Sequence, residues 1–393
     1  MRETTSVVIV GGGPAGLTLA NLLNRSGIGC VVLELRSREY VDRRQRAGIV
    51  EYRAVRMLEE WGLADRVLGA APQDSRLELR FDGERRTIGE DEYGLSLAGS
   101  LCPQQVLVRN LISLLLEEGG DLRFDAAGAT VHGLDGERPV VGYTDAAGEP
   151  HEIECDFVAA CDGDHGSSRA GAPEGAWTTQ VMDHGVSWLT VLTDSPPPRR
   201  PLMGVGPEGF AAQFARGPAA SRFYLECPPG DRIEDWPAER IWPALRTRLA
   251  DPDLPTGPVT DREVFALRSV VHDPMSYGRL YLLGDAAHVI SPMGGKGMNL
   301  ALHDADVLAR AVRAFLRDGD ESLLRRYSAD CLERVWSCQE FSRWMLETTH
   351  DLGGPAEEAG FRRELRLARL RRLTGAQTKT AEHGYVEALA GLA

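Results

Sequence analysis

A four-residue apolar run, Val7-Val8-Ile9-Val10, meets Gly11-Gly12-Gly13-Pro14-Ala15-Gly16, and this junction constrains the fold more than any other part of the chain. Leu17, Leu19, Ala20, Leu22 and Leu23 then recur at helical spacing, and Cys30-Val31-Val32-Leu33 forms a second strand-like run ending on Glu34. The order is strand, tight turn, helix, strand, with Gly11, Gly13 and Gly16 in G-x-G-x-x-G spacing. The first glycine turns the chain, the second lets the backbone approach a pyrophosphate, and the third lets helix and strand pack closely. Phosphates would sit on free N–H groups at the helix start, where the peptide dipoles favour negative charge. Glu34 stands where an acid can hold a ribose hydroxyl. A glycine-rich turn without a ligand is the bland alternative. The strand, helix, second strand and terminal acid, all in order, argue against it.

Composition narrows the class. A 43% hydrophobic share supports a sizeable core, and the length suggests two or three domains. The net charge of −14, from 44 basic and 58 acidic residues, disfavours a nucleic-acid or anionic-membrane partner. Seven scattered cysteines without a CxxC pair fit reduced thiols and a cytoplasmic location. The apolar start holds three glycines and a proline, which reads as fold rather than as a leader, and no long apolar run predicts a membrane span. No HxxxH or His/Cys cluster points to a metal.

After Glu34 the pattern predicts a basic loop from Arg36 to Arg46, then an amphipathic helix carrying Ile49, Val50, Val55, Leu58 and Trp61. Basic groups so near a phosphate-binding turn point to the same ligand, although Arg36 and Arg38 read equally well as solvated surface. Leu77–Phe81 and Arg86–Ile88 read as short strands, Pro103 opens a strong helix, and short strands fill Leu122 to Ala160. A turn, Cys161-Asp162-Gly163-Asp164-His165-Gly166-Ser167-Ser168-Arg169, follows the strand Asp156–Ala160. From Val186 to about Leu267 strands alternate with Pro- and Gly-rich turns, followed by a helix from Trp236 to Leu249; this predicts a sheet-rich domain inserted in the first. Arg216 and Arg222 are the only cations between Arg200 and Arg232.

A second strand–glycine–helix junction comes late. Arg279–Leu283 leads into Gly284-Asp285-Ala286-Ala287-His288, and a loop through Pro292 to Gly297 opens a long helix near Met298-Asn299. Two such junctions far apart imply a ligand long enough to reach both, and flavin adenine dinucleotide (FAD) fits. Its adenosine and pyrophosphate belong at Gly11–Glu34, with the ribityl chain and isoalloxazine at the second loop. Asp285 can accept a hydrogen bond from a ribityl hydroxyl, and the Met298 helix would point its positive end at the flavin pyrimidine edge. Residues 321–393 read as a helical cap or oligomer surface, with Trp336, Phe341, Trp344 and Met345 on one face.

Taken in order, Gly11-x-Gly13-x-x-Gly16, Asp162-Gly163 with Ser168-Arg169, and Gly284-Asp285 resemble the single-component flavin-dependent aromatic hydroxylases, and within them the 4-hydroxybenzoate 3-hydroxylase group. The resemblance covers nearly the whole chain. It implies an α/β fold: a Rossmann-type, GR2-like FAD-binding domain over 1–72, 98–180 and 268–345. A mixed-sheet substrate domain would occupy 73–97 and 181–267, and a helical C-terminal region 346–393. It implies that Gly11, Gly13, Pro14, Ala15, Gly16, Glu34, Arg46, Gln104, Asp162, Asp285, Gly297, Met298 and Asn299 contact FAD. Arg46, Tyr40, His165 and Arg169 would serve the NADPH or NADH that reduces it. Arg216 matches the arginine that pairs with a benzoate carboxylate; Tyr224, Pro292, Tyr385, Phe214 and Met203 fall on other pocket positions, and Arg222 on an arginine that steadies the flavin.

The resemblance implies a monooxygenase in which O2 forms a flavin C4a-hydroperoxide that attacks an electron-rich ring, and a homodimer. Three positions depart from the family pattern. Met203-Gly204 stands where a phenol-binding tyrosine is expected, Phe214 replaces a serine, and Asp74 replaces the histidine of a proton relay. These departures favour an amino- or aminohydroxybenzoate, or a substituted 4-hydroxybenzoate, as substrate. An oxidase or dehydrogenase, or a non-catalytic flavin sensor, stand as alternatives on the same scaffold.

Overall fold

The computed structural model describes residues 3–43, 48–69, 77–88, 102–217 and 219–374. The chain opens with β1 (Glu3–Val10), α1 (Pro14–Arg25) and β2 (Cys30–Leu33), followed by helices α2 (Arg38–Arg43), α3 (Tyr52–Glu60) and α4 (Ala64–Val67). Next come β3 (Leu77–Phe81), β4 (Glu84–Ile88), α5 (Gln104–Glu117), β5 (Asp121–Arg123), β6 (Ala127–His132), β7 (Val140–Thr144) and β8 (Pro150–Ala160). The middle of the chain supplies β9 (Thr178–Thr193), β10 (Leu202–Gly206), β11 (Gly209–Ala215), β12 (Ser221–Cys227), α6 (Ala238–Arg248) and β13 (Val259–Asp273). Strands β14 (Ser276–Tyr277), β15 (Leu280–Leu282) and β16 (His288–Val289) lead to helices α7 (Gly297–Asp318), α8 (Ser322–Thr349) and α9 (Ala359–Thr374).

Two sheets result. The first has the parallel order β5-β2-β1-β8-β15, with β14 antiparallel at one edge and β6–β7 branching antiparallel from the start of β8. A parallel strand needs cover on both faces. Val7, Val8 and Ile9 are accordingly fully buried, and α1, α5 and α7 pack in the same core. The second sheet runs β16-β13-β9-β12-β11-β10-β3-β4, and all its pairs are antiparallel except β10–β3. Its two faces follow the period of two. Phe223, Leu225, Leu189 and Val191 pack with Ile241 and Leu245 of α6. Tyr224, Trp188, Phe210 and Val205 turn the other way, toward Met293 and the α8 residues Phe341 and Met345.

Several local expectations differ in detail. Within the stretch read as a basic loop, residues 38–43 form α2. The amphipathic helix begins at Tyr52 rather than Ile49, because Asn299 holds the preceding backbone by accepting from Glu51 N (2.9 Å) and donating to Ile49 O (2.8 Å). Phe341 and Met345 are buried, but Trp336 is 45% exposed. Five residues before Phe341 is well over a full turn, so Trp336 lies on another side of α8. The expected domain cuts at 180/181, 267/268 and 345/346 fall inside β9, β13 and α8, which run through them without a break.

Helix α1 crosses β1 closely because Gly16 lacks a side chain. A Cβ there would lie 2.0 Å from the Gly11 carbonyl oxygen and 3.0 Å from an Ile9 methyl. Gly16→Ala is therefore expected to destabilise the fold by about 3 kcal/mol or more, with apo-protein thermal unfolding as the measurement.

Candidate functional site

The C-terminal ends of the parallel strands converge, the usual place for a ligand in such a sheet. Gly11 N donates to Leu33 O (2.8 Å), Cys161 N to Val10 O (2.7 Å) and Leu283 N to Ala160 O (2.9 Å). These bonds draw the turns after β1, β2, β8 and β15 into one rim. Gly11 has φ +110°, and a Cβ on it would lie 2.2 Å from Cys161 O, so only glycine fits.

Gly13 is different. Its φ of −83° suits any residue, and among the described residues nothing lies within 4 Å of where its Cβ would be. Neither conformation nor protein neighbours require a glycine, so the open space in front of it is available to a ligand. It lies at the start of α1, a helix with Pro14 in its first turn, no side-chain cap and no acid there. That leaves N–H groups and a positive dipole end for an anion. The Glu34 carboxylate accepts from Gly12 N (2.7 Å) and Arg36 N (2.8 Å), which fixes its position at the end of β2. These features fit the adenosine-diphosphate half of FAD.

At the third rim segment, Asp162 accepts from Ser168 N (2.9 Å) through one oxygen, while Oδ1 is buried without a partner. Arg169 donates to the backbone carbonyls of Ala286 (2.8 Å), Gly163 and Asp164, tying this turn to the one after β15. Asp164 pairs with Arg268, and the His165 side chain is 91% exposed. Tyr40 is exposed with the Arg36 guanidinium 5.2 Å from its ring centre, and Gln104 is the first residue of α5.

At the fourth, Asp285 is exposed at the rim while Asp304, fully buried in α7, accepts from Gly284 N (2.9 Å) and bonds His288 Nε2 (2.7 Å). Burial alone would push the His288 imidazole down, but the Asp304 carboxylate outweighs it and holds its pKa above the ordinary value. Gly297 and Met298 open α7 without a side-chain cap. Asn299 is spent on residues 49–51 and Gly295 O. Lys296, also buried, pairs with Glu51, which Arg334 reaches as well (3.2 Å).

Across from this loop lies the inner face of the second sheet. Register aligns Met203 with Ala212 and Ala212 with Tyr224, and sets Phe214 opposite Arg222. Phe214 meets Tyr224 edge-on at 5.7 Å, and the Arg222 guanidinium lies 5.7 Å from the Tyr224 ring centre. Arg216 follows β11, its N–H bonded to Ala220 O (2.8 Å) and its Nη1 to Ala215 O (2.9 Å). Its Nε and Nη2 are buried and, among the described residues, have no hydrogen-bond acceptor. Burial pushes its pKa below the ordinary value, Tyr224 opposes this, and Arg222 adds to it. Pro292 is exposed on the loop beside Met293, its carbonyl accepting from Gly295 N (3.0 Å). Arg46, Asp74 and Tyr385 lie outside the described residues.

Sequence reading missed several residues. Met293 lies on the named loop and was findable there. Trp188 and Phe210 were read as strand residues only, and the Lys296–Glu51 and His288–Asp304 pairs join positions far apart in the sequence. Among the described residues no group of His, Cys, Asp or Glu could hold a metal ion, and no helix is long and apolar enough to cross a membrane.

A dinucleotide-binding α/β protein is the class that this rim and the open space before Gly13 define. The chain matches the family described as "FAD binding domain" over residues 4–342. It is 35% identical to a p-hydroxybenzoate hydroxylase of Acinetobacter baylyi over 96% of this chain and 94% of that one. It is 30% identical to a kynurenine 3-monooxygenase of Salinispora tropica over 80% of this chain and 74% of that one. In fold it is similar to p-nitrophenol 4-monooxygenase of Pseudomonas putida, with a TM-score of 0.80, 21% identity and coverage of 98% of this chain and 99% of that one. The chain belongs to the single-component FAD-dependent aromatic hydroxylases, with the GR2-like fold that the resemblance implied. Enzymes of this family use FAD with NAD(P)H and O2.

Two outcomes follow from the geometry. Gly13→Ala is expected to leave the apo-protein's unfolding temperature within about 2 °C, yet to weaken FAD binding at least about tenfold by fluorescence titration, since its methyl meets only ligand. For His288, a raised folded pKa means stability that is present below the ordinary value of 6.5 and lost as pH rises through the folded one. The stability difference between wild type and His288→Gln, from denaturant melts, should therefore be largest below pH 6.5 and shrink as pH rises through the raised folded value.

Proposed function

We propose that this enzyme is an NAD(P)H-consuming monooxygenase that hydroxylates a benzoate-type aromatic acid: 4-hydroxybenzoate or an amino- or aminohydroxybenzoate relative. The observation that carries the reading is Arg216, a buried guanidinium whose Nε and Nη2 lack acceptors among the described residues. Burying such a charge is costly unless an anion completes it. Adjacent N–H donors on one guanidinium edge match the two oxygens of a carboxylate. The 35% identity to a p-hydroxybenzoate hydroxylase supports the same substrate class.

When bound, the flavin supplies hydride acceptance and oxygen activation. The residues of this chain do the rest. Arg216 fixes the carboxylate and hence the depth of the ring. Met203, Phe214, Tyr224 and Pro292 wall the ring and exclude water, joined by Tyr385 from the C-terminal segment. The uncapped start of α7, at Gly297, Met298 and Asn299, would hold the isoalloxazine end of the flavin, and Asp285 would accept a hydrogen bond from its ribityl chain. Gly11 to Gly16 with Glu34, and Arg46, Gln104 and Asp162, hold the remainder. Arg46, Tyr40, His165 and Arg169 serve the reductant. Arg36 beside Tyr40 favours NADPH over NADH, because its guanidinium can meet the extra phosphate. The chain divides functionally into the FAD-binding, substrate-binding and C-terminal parts set out above, and two copies form a homodimer.

Met203 has no proton to exchange, so a ring activated by its own donor, such as an amino group, suits this wall better than one that relies on a pocket tyrosine. The test is NADPH consumption with a panel of benzoates under labelled O2. One labelled oxygen atom in a hydroxylated benzoate is expected. Acceleration only by polycyclic phenols removes the carboxylate role, an unlabelled oxidised product indicates an oxidase or dehydrogenase, and no consumption at all indicates a flavin sensor. Arg216→Ala is expected to raise the KM for the acid by about 100-fold or more while FAD stays bound, and Arg216→Lys to recover only part of that loss.

A further inference from the structure

Behind the proposed pocket wall, the imidazole of His350 is 1% exposed at the end of α8. Its Nε2 accepts a hydrogen bond from Trp188 Nε1 at 2.8 Å. Its Nδ1 lies 2.8 Å from Thr349 Oγ1, whose single proton is already given to Met345 O at 2.7 Å. Nδ1 must therefore carry the hydrogen, which leaves Nε2 free to accept. Burial, with Arg366 adding to it, pushes the imidazole down to about 3, so it stays neutral in ordinary buffers. The ring also packs on its neighbours: Phe210 at 4.5 Å and Trp188 at 5.7 Å between ring centres. Trp188 in turn stacks on Phe210 at 5.4 Å and leans on Tyr224 at 5.0 Å.

Beside its apolar neighbours Phe341 and Met345, Tyr224 is thus reached from α8 by a line of ring contacts through His350 and Trp188. An indole has a preferred place in a stack, but only a hydrogen bond fixes which edge points where. Trp188 is 4% exposed, so without His350 its N–H would be a buried donor with no acceptor and would turn to seek one.

We propose that His350 is a positioning residue for the substrate pocket: its Nε2 acceptor sets the Trp188 indole, and the indole sets the orientation of Tyr224. This rests on the aromatic-acid reading only for the ligand used in the assay. His350→Phe keeps the ring and removes the acceptor; His350→Gln keeps an acceptor; Trp188→Phe removes the donor.

Binding of 4-hydroxybenzoate and 4-aminobenzoate to the FAD-loaded enzyme is read from the shift in flavin absorbance. His350→Phe is expected to weaken it about tenfold, and His350→Gln to stay within about threefold of wild type. The His350→Phe/Trp188→Phe double variant should bind no more weakly than either single variant, because both changes act through the one indole; losses that multiply would overturn the coupling. Crystal structures of the same variants read the wall directly: Trp188 turned away from Tyr224 in His350→Phe is expected. An unmoved Trp188 and Tyr224 overturn the proposal whether or not any acid binds. Unchanged affinity in His350→Phe, alongside a lowered unfolding temperature, overturns it too. If His350→Phe does not fold, Trp188→Phe carries the test: the same weakening supports the proposal and wild-type affinity overturns it. A wild-type enzyme that responds to no aromatic acid instead sinks the substrate reading.

Discussion

The close approach of Gly11 to Cys161 is the contact on which the rest of the structure depends. A side chain at Gly11 would overlap the Cys161 carbonyl, so the first turn and the Asp162 turn can share one rim only because that atom is missing. The backbone bonds from Cys161 to Val10 and from Leu283 to Ala160 extend the rim to Gly284. Four strand ends then present their turns to the same volume. Parallel pairing makes this possible, because it puts every C-terminal end on one side of the sheet.

The second sheet is joined to this rim by strands rather than by a flexible linker. β9 and β13 pair along almost their whole lengths, from Thr178–Asp273 at one end to Thr193–Val259 at the other. The same two strands therefore run from beside the Asp162 turn to the inserted sheet, and β16, just after Gly284, pairs with the near end of β13. Helix α8 completes the enclosure: Phe341 lies where a Cβ on Gly294 would touch it, and Met345 joins the cluster under Tyr224. A glycine-rich loop, an aromatic-lined sheet face and a covering helix are fixed in one packed unit, which suits chemistry that must exclude water.

Much of this was legible in the chain. The buried run Val7–Val10 and the three spaced glycines announce the strand–turn–helix, because period and glycine placement are local properties. The second junction at Gly284 was legible for the same reason, and so was the sheet-rich insertion. Element ends were less so. Residues 38–43 coil into α2 within a stretch of charges, and the α3 helix starts late because Asn299, remote in sequence, fixes Glu51 and Ile49. Trp336 was assigned to the inner face of α8 by hydrophobicity, yet its angular position on the helix exposes it.

The sequence by itself determined the α/β class and the two glycine turns, since these rest on spacing along a few residues; the candidate arginine came only from the family resemblance. The tertiary structure alone decided that Gly13 faces open space, that Arg216 is buried with donors unmet, and that Asp304 answers His288. It also brought His350 behind Trp188. Each of those depends on groups scores of residues apart, or on the space beyond them, meeting after the chain has packed. Burial and partnership are properties of that packing, and no local pattern encodes them.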